Sequence, residues 1–122
     1  MKIQLHMQPK NHHTCGQYCV AMIVKTKPSY VMGRARKYSS TRIFEVKRML
    51  RSWGLNTAER AKPYKNYLPD LCLLRLTYPN IKMGHFVVYS QGIIYCPDSG
   101  ISSFNDYNFL GGSIKSYLEI LN

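Results

Sequence analysis

Apolar residues recur at helical spacing in two segments of the first half of the chain. The first segment follows Thr14, a residue type that favours the N-cap of a helix, and runs from Cys15 to Lys25. Pro28 cannot continue such a helix, so the helix is expected to end before it. The side chains that can face a core are Cys19, Val20, Met22 and Ile23.

The second segment is predicted to be a helix that Thr41 caps and Gly54 ends. Glu45 would lie in its first turns, where a carboxylate is favoured by the helix dipole. Its apolar stripe consists of Ile43, Val46, Leu50 and Trp53.

The pattern changes after Leu55. Three short β-rich runs occupy residues 71–76, 85–90 and 92–96, and they are separated by turn residues. The Gln91-Gly92 pair is suited to the tip of a tight hairpin, so the runs predict an antiparallel meander.

The end of the chain, "GGSIKSYLEIL", predicts a last helix with Ser113 as its cap and Ile114, Leu118 and Leu121 on one face. Helices come first and strands follow, which indicates an α+β fold rather than alternating α/β units. The chain has 122 residues, enough for one core, so we expect a single domain over residues 1–122.

The net charge of +11 is concentrated between Lys25 and Arg51. Glu45 is the one acidic residue there, and the bases are Lys25, Lys27, Arg34, Arg36, Lys37, Arg42, Lys47, Arg48 and Arg51. Such a segment attracts an acidic protein or nucleic acid, or it is simply a solvated face.

The chain contains neither a secretory signal pattern nor an apolar run of membrane-spanning length. We therefore expect no membrane association and a cytoplasmic location, in the host cytoplasm if the protein is viral. The four cysteines are expected to be thiols there.

Cys15 stands at the first turn of the first predicted helix, where unpaired N–H groups favour a thiolate nucleophile. His85 opens an apolar strand after Gly84 and is the candidate general base, and Asp98 follows it by one hairpin as the candidate group that orients the imidazole. The Cys15 N–H and the side-chain amide of Gln8 are candidate donors to an oxyanion.

These residues carry a resemblance: Gln8, "CGQYCVAMI" at 15–23, "GLNT" at 54–57, "GHFVVY" at 84–89 and "YCPDSG" at 95–100. The chain resembles the papain-like double-glycine leader peptidases that process bacteriocins, and their stand-alone relatives, which include small phage-encoded proteins. The resemblance implies a papain-like fold without cofactor or metal. It also implies a thiol hydrolase with Cys15 as nucleophile, His85 as base, Gln8 as oxyanion donor and a carboxylate near residues 96–98 as the orienting group. Such an enzyme would cleave a peptide, isopeptide or amide bond of a protein or peptide through an acyl-enzyme, at a small-residue site such as Gly-Gly. Relatives have Asp where this chain has Cys96, two residues before Asp98.

Other functions compete with peptide hydrolysis. Glutamine deamidation uses the same constellation, and the substitution at Cys96 also suits a weakly active papain-like binding module such as a phage-encoded inhibitor of a host protein. The basic segment alone would suit a nucleic-acid binder. A metal site is a further alternative, built from His12, His13, Cys15 and Cys19 with Cys72 or Cys96.

Overall fold

A computed structural model describes residues 3–10 and 12–121, and the side chains of residues 81–83 lie outside that description. Its first half holds three helices, α1 (Cys15–Val24), α2 (Pro28–Ala35) and α3 (Ile43–Ser52). The predicted first and second helices correspond to α1 and α3. The α2 helix was not predicted from the sequence: Pro28 stands at its start, a position that proline favours because its missing N–H would be unpaired there anyway.

The predicted caps shift slightly. Thr14 occupies the N-cap of α1, but its hydroxyl makes no capping hydrogen bond. The N-cap of α3 is Arg42 rather than Thr41, and the Glu45 carboxylate accepts a hydrogen bond from the Arg42 N–H at 2.9 Å. Gly54 follows α3 with φ +85°, as expected for a glycine that ends a helix.

The second half forms a six-stranded antiparallel sheet. Its strands are β1 (Lys62–Pro63), β2 (Leu71–Tyr78), β3 (Ile81–Ser90), β4 (Ile93–Cys96), β5 (Gly100–Ser103) and β6 (Ser113–Glu119), in the order β1-β6-β2-β3-β4-β5. The predicted hairpin is present: Gln91 and Gly92 join β3 to β4, both with positive φ, as a tight turn of this kind requires. The α+β class is therefore confirmed.

The predicted C-terminal helix is wrong. Residues 113–119 form β6, which lies between β1 and β2 and pairs along nearly all of β2. Ile114, Leu118 and Leu121 match a helical period, but Leu118 and Ile120 also match the strand period, and both are buried. The segment forms a strand and not a helix because β2, a long apolar strand, would otherwise have an unpaired edge.

The two faces of the sheet are covered differently. On the helix-covered face, Leu73, Phe86, Val88 and Leu118 form one core with α1 and α3. On the loop-covered face, the buried residues are Cys72, Leu74, Leu76, Val87, Ile94 and Cys96, and the segment 104–111 packs over them through Phe104, Tyr107 and Phe109. In the described part of the chain, no helix has the length and apolar character needed to cross a membrane.

Candidate active site

The sequence-predicted site residues lie together around one small cavity of about 70 Å³. The cavity is at the N-terminus of α1, beside the end of β4. Its lining consists of Gln8, His12, His13, Cys15, Ser40, Thr41, Gly84, His85 and Asp98.

Cys15 is the first residue of α1 and is partly exposed. The short β4 pairs only with Val88, Tyr89 and Ser90 of β3, so it does not reach Phe86. The Phe86 N–H instead donates to Cys15 Sγ at 3.4 Å. The N-terminus of α1 thus lies against a stretch of β3 that has no strand neighbour on that side, and the sulfur is placed beside His85.

His85 is buried on β3, and strand alternation puts its side chain on the loop-covered face. The Nε2 atom of the imidazole is 3.6 Å from Cys96 Sγ, and Cys15 is close enough to act on the ring as a second sulfur partner. Burial by itself lowers the pKa of His85, but these two sulfur partners outweigh burial and raise it from 6.5 to about 10. The ring therefore stays protonated through neutral pH.

Asp98 approaches the same imidazole from the turn after β4. Its Oδ2 is 3.6 Å from His85 Nε2, and its side chain is 41% exposed. The other oxygen, Oδ1, accepts a hydrogen bond of 2.6 Å from Gln8 Nε2. Asp98 therefore touches both the candidate base and the candidate oxyanion donor.

Gln8 is buried and held from both ends. Its side-chain Oε1 accepts hydrogen bonds from the Thr14 N–H at 3.1 Å and from the Thr14 hydroxyl at 3.3 Å. The backbone N–H of Gln8 donates to the Pro97 carbonyl at 2.9 Å. The amide nitrogen has two hydrogens, and Asp98 takes one. Within the described part of the chain this nitrogen makes no second hydrogen bond, so its other hydrogen is a candidate donor to a ligand.

Cys96 is fully buried at the end of β4. It occupies the position at which the family that the sequence resembles has an Asp. Its Sγ is 3.6 Å from His85 Nε2, and it accepts a hydrogen bond from the Tyr107 hydroxyl at 3.3 Å. Burial disfavours the thiolate, but the hydrogen bonds from His85, Ser99 and Tyr107 outweigh burial and lower the pKa of Cys96 to about 7.

Tyr107 is a site residue that the sequence analysis did not identify. It is buried, and its pKa is raised by burial and by the bond to Cys96, so its hydroxyl keeps its proton and donates. Tyr107 lies in the loop after β5, and the sequence around it contains no motif that would mark it as a site residue. The Cys96 substitution was the one available signal, since a buried sulfur beside a base needs a donor.

The other two cysteines are structural. Cys19 and Cys72 are fully buried, and burial raises the pKa of each thiol. All four cysteines are free thiols. Within residues 3–10 and 12–121, no three His, Cys, Asp or Glu side chains are grouped so that they could hold a metal ion, so the metal alternative has no structural support.

Gly16 serves packing. A Cβ there would lie 2.2 Å from Thr41 Oγ1 and 2.9 Å from Val46 Cγ2, so the glycine lets α1 approach α3 and the segment before it. Because Gly16 is buried, it offers no space to a substrate backbone.

A solved structure of similar fold is known. It is the crystal structure of a double-glycine motif protease from an AMS/PCAT transporter in complex with the leader peptide, with a TM-score of 0.71, 20% sequence identity, and coverage of 98% of this chain and 91% of that chain. No protein-family model and no curated protein sequence matches the chain. The chain therefore shares the fold of this double-glycine motif protease, as the resemblance of the sequence implies.

Proposed function

We propose that the protein is a papain-like cysteine peptidase that hydrolyses a peptide through an acyl-enzyme. The observation that carries the proposal is the single cavity that brings a helix-terminal thiol, Cys15, against a buried imidazole, His85, with Gln8 and Asp98 beside them. A thiol and a base in contact, with the base held by a further group, is the minimal arrangement for thiol acyl transfer. The similar fold of a known peptidase supports this class of reaction.

In the acylation step, Cys15 Sγ attacks the carbonyl carbon of the substrate as a thiolate. The carbonyl oxygen then becomes negative, and two donors are available to it: the Cys15 N–H, which has no partner within α1, and the free hydrogen of Gln8 Nε2. The tetrahedral intermediate collapses by breaking the C–N bond. His85 gives its proton to the departing amine, which leaves a thioester on Cys15.

Deacylation repeats the sequence with water. The neutral His85 removes a proton from water, the hydroxide attacks the thioester carbonyl, and the C–S bond breaks to return the Cys15 thiolate and the His85 imidazolium. Asp98 contributes a negative charge 3.6 Å from Nε2 and holds Gln8 in position.

The substrate is proposed to be a peptide segment lying in a wider groove next to the catalytic cavity. This groove has a volume of about 840 Å³ and shares Ser40, Thr41 and Gly84 with the catalytic cavity. The half-exposed Phe44 and the Arg75 side chain also line it, which suits a peptide with apolar and acidic side chains. A small-residue pair such as Gly-Gly at the cut fits the narrow catalytic cavity.

The experiment is to incubate the protein with a degenerate peptide library that contains Gly-Gly pairs, and to identify new termini by mass spectrometry. Cys15→Ala is the matched control, because it removes the sulfur while keeping the helix. New termini are expected with the natural protein and absent with the variant. Identical spectra from the two proteins would contradict the proposal.

The same spectra separate the competing functions. Conversion of a glutamine to glutamate without chain cleavage would identify a deamidase. Binding of a library peptide by both proteins, without any covalent change, would identify a binding module, the function that the substitution at Cys96 also suits. Because the proposed nucleophile is a thiol, a reducing compartment such as the cytoplasm is the proposed place of action.

A further inference from the structure

His85 Nε2 has two neighbours at the same distance, and they are not equivalent. Asp98 Oδ2 and Cys96 Sγ are each 3.6 Å away. For an N–H and an oxygen, 3.6 Å is too long for a hydrogen bond. Sulfur is a larger atom, so the same distance to Cys96 Sγ is a hydrogen-bonding contact. The geometry favours the sulfur as the acceptor of the Nε2 proton.

The surroundings of Cys96 are built to hold an acceptor. The side chain is fully buried, and its sulfur receives the Tyr107 hydroxyl at 3.3 Å. Tyr107 is itself fixed by its N–H bond to the Ser103 carbonyl at 3.0 Å and by an edge-to-face contact with Phe109, whose ring centre is 4.9 Å away. A buried sulfur with donors on two sides is placed to share a proton with the imidazole and to carry a negative charge.

Asp98 is engaged elsewhere. Its side chain is 41% exposed, and its Oδ1 accepts the hydrogen bond of 2.6 Å from Gln8 Nε2. A carboxylate in contact with water interacts weakly with a charge 3.6 Å away, because water screens it. The hydrogen bond of Asp98 to Gln8 is therefore stronger than its interaction with His85.

We propose that Cys96, held by Tyr107, is the positioning residue that accepts the Nε2 proton of His85, and that Asp98 mainly positions Gln8. This inference rests on the proposed peptidase function and deepens it. The orientation of His85 and the positioning of Gln8 are thus divided between a buried sulfur and a partly exposed carboxylate.

The division has an electrostatic consequence for His85. The titratable groups around the ring include Cys15 from α1, Cys96 from β4 and Asp98 from the following turn, with the exposed His12 and His13 on the rim of the cavity. Tyr78 of β2 and Tyr107 are the neighbouring phenols: Tyr78 interacts electrostatically with all three groups, and Tyr107 donates to Cys96. A negative charge on Cys96 favours the imidazolium, the form that protonates the leaving amine. The lowered pKa of Cys96 is consistent with such a charge near neutral pH.

The test is the titration of His85, followed by NMR of its ring nitrogens, together with the rate of Cys15 alkylation. Neither measurement needs a substrate, so both remain informative if no peptide is cleaved. Cys96→Ala is expected to lower the pKa of His85, to change its neutral tautomer and to slow Cys15 alkylation at neutral pH by about tenfold or more. Cys96→Asp restores the charge and should restore both quantities.

Two further variants keep the test decisive. Tyr107→Phe removes one hydroxyl and should shift the titration in the same direction as Cys96→Ala, by less. Asp98→Asn should shift the titration less than Cys96→Ala while still reducing peptide cleavage, because Gln8 then has a neutral amide oxygen as its acceptor instead of a charged carboxylate. If Cys96→Ala destabilises the fold, Cys96→Ser keeps an acceptor there and should retain the tautomer but not the raised pKa.

The inference is overturned if Asp98→Asn moves the titration of His85 more than the Cys96 variants do. Peptide cleavage that persists under that outcome would leave the proposed function intact. Conversely, a natural protein that cleaves nothing but shows the expected titrations would overturn the function and retain the role of Cys96.

Discussion

The two faces of the sheet differ in what covers them and in what they give to the site. The helix-covered face packs against α1 and α3 through aliphatic side chains and Phe86, and α1 carries Cys15. The loop-covered face packs against aromatic rings of residues 104–111, and it carries His85 and Cys96. Neighbouring residues of β3, His85 and Phe86, belong to opposite faces, yet both contact Cys15. The candidate site therefore forms where the two faces meet, at the end of the short β4.

The packing on the two faces of the sheet therefore positions the site residues in two different ways. An aliphatic core between helix and sheet fixes the position of a whole helix and hence of its first residue. An irregular loop with aromatic rings can aim a single hydroxyl at a single sulfur, as Tyr107 does toward Cys96. Truncations on the two faces should accordingly have different consequences.

Leu73→Ala tests the helix-covered face and should have the largest effect on stability. Leu73 is fully buried in the core that includes α1 and α3. Its truncation is expected to lower the free energy of unfolding by about 2–5 kcal/mol, measured by urea denaturation. Lys115→Ala, at an exposed position of β6, is the control and should change it little. A small effect at Leu73 would contradict the packing described for this face.

The pH dependence tests the loop-covered face. Because the pKa of His85 is raised to about 10, the imidazolium persists through neutral pH and is lost only as the pH rises through about 10. Cleavage, which needs this proton for the leaving amine, should therefore decline on the alkaline side near that value. The pH profile of kcat/KM is the measurement. A decline near 6.5, the ordinary value for histidine, would show that the sulfur partners do not act on the ring.

Phe109→Ala separates positioning from stability on the loop-covered face. Phe109 is partly buried and contacts both Phe104 and Tyr107. We expect a smaller loss of unfolding free energy than for Leu73→Ala, since less apolar surface is buried, together with a shift of the alkaline limb toward lower pH as Tyr107 loosens. Stability lost without any shift of the limb would mean that the ring packing does not aim Tyr107.

The smallest effect is expected at the basic side chains of the segment from Lys25 to Arg51, which are not part of either core. Arg42, Arg48 and Arg51 are exposed on α3, away from the buried Val46 and Leu50. We predict that an acidic peptide binds this surface weakly, and that the affinity falls as salt rises. Arg48→Glu should weaken binding further. Affinity that does not change with salt would indicate a merely solvated face.

Much of the fold could be predicted from the sequence because the periodicities of α1, α3 and the β2 to β4 meander are unambiguous. The C-terminal segment was assigned wrongly because its apolar residues fit both periods, and only the edge of β2 decides between them. The α2 helix was missed because Pro28 was read as the end of one helix and not as the start of the next.

Only some residues of the candidate site could be predicted from the sequence. Cys15, His85 and Gln8 follow from local signals: a helix start, a strand start and an approach loop. The choice between Cys96 and Asp98 depends on the burial of each side chain and on the donors around it, which no sequence pattern encodes. The contribution of Tyr107 depends on a loop in which Phe109 and Leu110 both have positive φ, a conformation that their residue types do not predict.

The central claim, that Cys15 is a nucleophile activated by His85, is tested most directly by limiting alkylation with iodoacetamide at neutral pH, followed by peptide mapping. Cys15 is the partly exposed thiol, whereas Cys19, Cys72 and Cys96 are fully buried. The account predicts that Cys15 is labelled first, and that its labelling slows markedly in a folded His85→Ala variant. Labelling of Cys19 or Cys72 before Cys15, or a Cys15 rate that is the same with and without His85, would contradict it.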